Sequence, residues 1–275
     1  MFWRYRLTNL TIEILCSMPL RKYLGIACLL SVLLWACTPG QPGQQLMVVA
    51  AANIKPALDS VIQVFKLQHP QARIGIIYGA SGKLTEQISN DAPFDLFFSA
   101  DMNFPKKLKE TGFTISDSKL YAIGRLALWS KKTDPGISQM NTLLDAGIHK
   151  ISIADPRTAP YGEKAIECLK YYKLYDSIQN KLVFGENISQ SAQFITSGAA
   201  DIGIISLSLA LSPEMQKEGG HYYIVPEISH KPIEQACVLL KHAQRNATAK
   251  ELYEFISTSI AVNILTHYGY IQKMP

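Results

Sequence analysis

Beyond residue 45 the apolar positions alternate between two periods. Leu46–Ala51 is a short apolar run carrying Val48 and Val49, the composition of a buried strand. Immediately after it, Ile54, Leu58, Val61, Ile62 and Phe65 recur every three to four residues, an amphipathic helix for which Asn53 stands at the N-cap position. Arg73–Tyr78 predicts a second strand. Ser81 follows its turn and opens a helix through Ile88, stopped by Asn90-Asp91-Ala92-Pro93. Asp95–Ser99 is a continuously apolar strand of the kind covered on both faces. The alternation continues through Leu120–Ser130, Lys150–Ala154, a helix from Glu163, Lys181–Phe184, a helix from Gln190, and Asp201–Ser206. Strands and helices alternating on this scale predict an α/β fold with mainly parallel sheets. Ligands in such sheets sit beyond the carboxyl ends of the strands, where the helices begin.

Four segments place small or hydrogen-bonding residues just before a helical stretch: Ala51-Ala52-Asn53, Gly79-Ala80-Ser81-Gly82, Pro160-Tyr161-Gly162 and Asn187-Ile188-Ser189. The first N–H groups of a helix lack intrahelical partners and carry the positive end of its dipole, so converging helix starts form an anion trap that needs no cation. An internal echo suggests two lobes: Ser81 through Ala92-Pro93-Phe94-Asp95 to Ser99 is similar in order to Ser189 through Ala199-Ala200-Asp201 to Ser206. Extended apolar segments near Gly124 and Pro226 are the places to cross between them. The expected lobes are residues 45–124 with 227–275, and residues 125–226, a span long enough for two domains.

The N-terminal part follows a different pattern. Arg21 and Lys22 precede a 14-residue apolar run, Tyr23 to Ala36, and then Cys37. A spanning helix needs about 20 residues, so this run fits the core of a secretory signal. Met18 opens a more ordinary signal than Met1. Leu34-Trp35-Ala36-Cys37 resembles a bacterial lipobox, although Trp35 is atypical there, which makes Cys37 the expected lipidation site and residues 1–37 the removed signal. Residues 38–45, rich in Pro, Gly and Gln, read as a tether. The net charge of +5 falls to +2 without residues 1–37, which hold four of the 27 cations and one of the 22 acids. The basicity belongs to the targeting segment and gives no support for a nucleic-acid partner.

The remaining candidate chemistries are weak. Cys168 lies in a helical pattern and Cys237 in a strand pattern, so two buried free thiols are expected rather than a disulfide. Gly82-Lys83 lacks the earlier glycine and the following Ser or Thr of a phosphate loop, because Ile77 and Leu84 stand there. The Ser81 segment lacks the spacing of a nucleophile elbow. The six histidines show neither i,i+4 pairing nor Cys/His clusters.

Five ordered blocks carry a resemblance to a known family: Val48-Val49-Ala50-Ala51-Ala52-Asn53, Tyr78-Gly79-Ala80-Ser81-Gly82-Lys83-Leu84, Ala92 through Asp101, Ala154-Asp155-Pro156 and Ala159-Pro160-Tyr161-Gly162. Together they resemble the signature blocks of bacterial molybdate-binding proteins, the extracytoplasmic receptors of ABC importers. The likeness runs from Leu46 to Tyr268-Gly269-Tyr270-Ile271. It implies a type II periplasmic-binding-protein fold, two α/β lobes closing on a molybdate or tungstate dianion held by neutral hydroxyls and backbone amides.

Carried onto this chain, the resemblance makes Asn53, Ser81, Tyr161 and Ile188 the ligand-binding residues. Asn53 stands where many members have Ser. Ser81 supplies the second hydroxyl, and Ile188 donates its N–H. A common version of the family places a contacting Tyr on the strand after Asp201-Ile202-Gly203, where this chain has Ser206, a weaker candidate. Other members pair Asn at the first position with Tyr in the Pro-Tyr-Gly block, as here, so the phenol of Tyr161 is expected to take over from the missing Tyr.

The resemblance implies an exported, lipid-tethered, monomeric receptor that hands its anion to a membrane permease. It implies no covalent chemistry and no cofactor, with molybdenum entering only as the oxyanion. Two alternatives stay open: a receptor for another oxyanion or a small organic acid, with Arg157 as the nearby cation, and an extracytoplasmic ester hydrolase, which needs a general base near Ser81. Molybdate and tungstate are nearly the same size, and the sequence does not rank them.

Overall fold

A computed structural model describes residues 45–272; the signal, Cys37 and most of the expected tether lie outside them. The strands in chain order are β1 (Leu46–Ala51), β2 (Ile74–Gly79), β3 (Leu96–Ser99), β4 (Lys119–Gly124), β5 (Leu126–Ser130), β6 (Ile151–Ala154), β7 (Leu182–Gly185), β8 (Ile202–Ser206), β9 (His221–Ile224) and β10 (Ile233–Leu239). They form two five-stranded sheets, ordered β2-β1-β3-β10-β4 and β7-β6-β8-β5-β9. The longer helices are α1 (Lys55–Gln68), α2 (Ser81–Ser89), α3 (Asn103–Glu110), α4 (Pro160–Tyr171), α5 (Ile188–Thr196), α6 (Ala247–Phe255) and α7 (Ser259–His267).

In each sheet four strands run one way and one runs against them. β1 pairs in parallel with β2 and β3, while β10 is antiparallel to β3 and β4. In the second sheet β6 is parallel to β7 and β8, while β5 is antiparallel to β8 and β9. The two reversed strands are those that follow a change of sheet. Leu120–Ser130, which the pattern reads as one strand, is broken at Arg125, where the chain leaves the first sheet for the second. A side chain at Gly124 would collide with the Tyr161 hydroxyl and the Gln235 amide, so only glycine permits the two lobes to approach so closely at this crossing.

The core explains the continuous apolar runs. Leu96 and Phe98 of β3 pack with Val48, Leu58 and Phe65, while Phe97 faces the other way against Val49, Leu84 and Leu108. All three β3 side chains are fully buried, at about 1.5–3 kcal/mol each. The second lobe centres on Leu126–Trp129, Ile151, Ile153, Ile202 and Ile204. Ala51, Ala52, Ala80 and Ala100 from the first lobe join this second cluster, so the apolar contact continues across a closed interlobe cleft.

Two expectations need correcting. Asn53 is not a helix cap: Ala52–Ile54 forms a 3-10 turn, α1 starts after Ile54 with Pro56 in its first turn, and no side chain caps either start. Proline has no N–H to satisfy, and the Asn53 side chain is drawn away by distant partners. The helices expected from Glu163 and Gln190 begin at Pro160 and Ile188 instead, which places Tyr161 and Ile188 in their first turns. Cys168 and Cys237 are free and buried, and burial pushes their thiols up to about 11 and about 12.

Candidate functional site

The 3-10 turn after β1 and the starts of α2, α4 and α5 meet at one narrow cavity. Asn53, Ser81, Tyr161 and Ile188 all line it, together with Ala80 and Ala159, and no charged side chain does. A larger groove lies elsewhere between the lobes, but Asp59, Glu214 and Glu218 outnumber Lys55 on its wall and suit it poorly to an anion.

What sets the cavity apart is how its helices begin. The residues at the N-cap positions of the 3-10 turn, α2 and α4 are Ala51, Ala80 and Ala159, and none of these starts has a side-chain cap. Alanine at a cap costs about 0.5–2 kcal/mol relative to Ser, Thr, Asn or Asp. Away from the cavity starts of both kinds occur: Asp134, Ser206, Ser212, Asn246 and Thr258 each accept a backbone N–H of their own helix, whereas the starts after Met102 and Leu174 have no side-chain cap. At α5, Asn187 accepts from Ser189 and Gln190, and Ile188 lies between cap and capped amides. Uncapped starts from both lobes therefore face one cavity, where their dipoles add.

The side chains there are neutral donors. Ser81 is buried, and its Oγ accepts from the Ala100 N–H at 3.0 Å, which leaves its own proton free. Tyr161 is buried, and its hydroxyl accepts from Gln235 Nε2 at 2.8 Å and Asn53 Nδ2 at 3.5 Å. Burial holds its phenol well above the ordinary tyrosine range, so the phenol is protonated. Asn53 Nδ2 donates to Gln235 Oε1 at 2.9 Å and to Tyr270 Oη at 2.8 Å.

Ser206 does not line the cavity. Its Oγ accepts from Leu209 N–H at 3.3 Å and from Ser208 Oγ at 3.1 Å. Lys83 is half exposed and paired with Glu186 at 2.7 Å. Arg157 is exposed and engaged by Asp155 at 2.6 Å. Among the described residues, no group of three or more His, Cys, Asp or Glu is placed to hold a metal ion.

The sequence reading missed a second layer of polar residues behind the cavity. Gln235, Tyr121, Tyr270 and Ser208 are buried, and all are tied to Asn53 or Tyr161 directly or through Gln235. No local signal marked them: Glu234 precedes Gln235 in β10, so Gln235 does not stand out there as a lone polar residue.

Residues 46–271 match the family described as bacterial extracellular solute-binding protein. The chain belongs to this family. It is 35% identical over 246 residues to the molybdate-binding protein ModA of Rhodobacter capsulatus, covering 89% of this chain and 94% of that one. It is 32% identical over 227 residues to the molybdate-binding protein ModA of Azotobacter vinelandii, covering 82% and 89%. The solved Azotobacter vinelandii periplasmic molybdate-binding protein superposes with a TM-score of 0.77, covering 84% of this chain and all of that one. The resemblance carried by the five sequence blocks and the two-lobed fold it implied are thereby borne out. The sulfate-binding protein SubI of Mycobacterium tuberculosis, at 16% identity and a TM-score of 0.68, shares the fold.

Proposed function

We propose that this protein captures molybdate, or tungstate, between its two lobes outside the cytoplasm and delivers it to an ABC permease. The observation that carries this reading is the set of three alanine-started turns opening on one uncharged cavity, with protonated hydroxyls beside them. Such a site offers a tetrahedral dianion donors on several sides and offers a cation nothing. Ser81 contributes its hydroxyl, Asn53 its side chain and backbone, and Tyr161 and Ile188 their backbone N–H groups. Hydrogen bonds to a charged partner contribute about 1.5–3 kcal/mol each. Several of them together offset dehydration of the dianion and reach the roughly −8 kcal/mol of micromolar binding.

The reading includes export with a lipid tether at Cys37, a lobe exchange at Gly124–Arg125 and near Pro226, and a site that needs no resident cofactor. A hydrolytic role finds no support, because the Ser81 hydroxyl meets a backbone N–H rather than a general base. A small organic acid finds no free guanidinium, since Arg157 is held by Asp155.

Thermal shift and calorimetry with molybdate, tungstate, sulfate, phosphate and a simple carboxylate test the assignment. Molybdate and tungstate raise the unfolding midpoint and bind at micromolar or tighter affinity, while sulfate and phosphate bind at least tenfold more weakly. Stabilisation by the carboxylate alone, or by none of the anions, contradicts it.

A further inference from the structure

The polar layer behind the cavity has two possible hydrogen-bond wirings on the same heavy atoms. In the first, Asn53 Nδ2 donates to Gln235 Oε1 and Tyr270 Oη, and Gln235 Nε2 donates to the Tyr161 hydroxyl. Asn53 Oδ1 is then buried with no partner, and the phenol proton of Tyr161 has no acceptor in the protein. Asn53 lines the cavity, and a buried carbonyl oxygen without a partner is an unfavourable neighbour for an anion there.

The second wiring follows from turning both amides over by 180°, which exchanges oxygen and nitrogen and moves no other atom. Asn53 Oδ1 now accepts from the Tyr270 hydroxyl and from Gln235 Nε2. The second Gln235 hydrogen goes to the Tyr121 hydroxyl, 2.7 Å away, and the Tyr121 proton goes to Ser99 O at 3.2 Å. Gln235 Oε1 accepts the Tyr161 phenol proton, and Ser208 keeps its donation to Asn53 O at 2.7 Å. Every proton has one acceptor except those on the Asn53 amide, which now stand where the orphaned oxygen was.

Resting on the anion-receptor reading above, we propose that Gln235 is the positioning residue that sets the polarity of this site. It locks Asn53 with its NH2 group toward the anion and takes the Tyr161 phenol for itself. The phenol is therefore not a ligand contact, and Tyr161 serves the anion through its backbone N–H.

Asn53 and Gln235 cannot be turned separately, because each offers the other a matching group only when both turn together. The lobes are coupled by the same choice, since Tyr161 belongs to the second lobe while Asn53 and Gln235 belong to the first.

The test combines side-chain amide NMR with calorimetry on the mature protein, using molybdate as the probe. The Asn53 amide signals are assigned by their loss in Asn53→Asp. In the wild type they shift on adding molybdate, and in Tyr161→Phe, which keeps the backbone N–H, they still shift. In Gln235→Leu the shift disappears and the affinity falls at least tenfold, with Gln235→Glu as a second variant of conserved shape. Asn53 signals that molybdate leaves unmoved in either protein, or a Gln235→Leu variant that keeps both the shift and the affinity, overturn the proposal. A wild type that binds neither molybdate nor tungstate overturns the receptor reading itself.

Discussion

Ser81 differs from the other hydroxyl residues at helix starts in what its oxygen does. Ser206, Ser212 and Thr258 accept an N–H of their own helix, whereas Ser81 accepts from Ala100 in the loop after β3. That acceptance leaves the Ser81 proton for the cavity. Ser81→Ala removes one donor to a charged ligand, about 1.5–3 kcal/mol, so calorimetry is expected to show molybdate binding about 10- to 100-fold weaker. Unchanged affinity removes Ser81 from the site. At this scale Asn53, Ser81, Tyr161 and Ile188 were legible, because each sits in a local pattern of small residues ahead of a helix. Gln235 and Tyr270 were not, since they reach Asn53 from 182 and 217 residues away and carry no local signature. Nor was the side-chain role of Asn53, whose partners override the capping its position suggests.

The helices of the cavity are built with starts that are weak by themselves. Ala80 illustrates the trade, since a serine at that position would accept an amide of α2 and stabilise the helix without any ligand. Ala80→Ser is expected to make the ligand-free protein more stable by about 0.5–1 kcal/mol in denaturant unfolding and to lower molybdate affinity, because the new hydroxyl occupies an N–H the anion uses. A variant equal to the wild type in both measurements contradicts the role given to these starts. Strands and helices were largely readable from hydrophobic period alone. The direction of β5 and β10 was not, because a period of two fixes which face is buried and says nothing about which end of the sheet the chain enters. A crossing near Gly124 was expected, but the strand break at Arg125 was not, because β4 and β5 are both apolar strands and only their membership of different sheets separates them.

Across the whole molecule, closure rests on polar contacts that include Gln235 Nε2 to the Tyr161 hydroxyl at 2.8 Å and Lys231 N–H to Glu167 Oε2 at 2.8 Å. Gly82 N–H donates to Thr158 O at 2.9 Å, Ser189 Oγ to Ala52 O at 3.2 Å, and Ser208 Oγ to Asn53 O at 2.7 Å, with the exposed Lys83–Glu186 pair at the rim. An exposed ion pair contributes about 0–1 kcal/mol, and the alanines that meet across the cleft bury little area each. The two-lobed architecture followed from length, internal echo and family resemblance, while the closed cleft and its buried amide and tyrosine layer exist only once both sheets are assembled. The most direct measurement is a crystal structure grown with molybdate, with the molybdenum located by its anomalous scattering. The account predicts one molybdenum in the cavity, within hydrogen-bonding distance of the Ser81 hydroxyl and of backbone N–H groups at Asn53, Tyr161 and Ile188. A molybdenum outside that cavity, or one held chiefly by lysine or arginine, contradicts it.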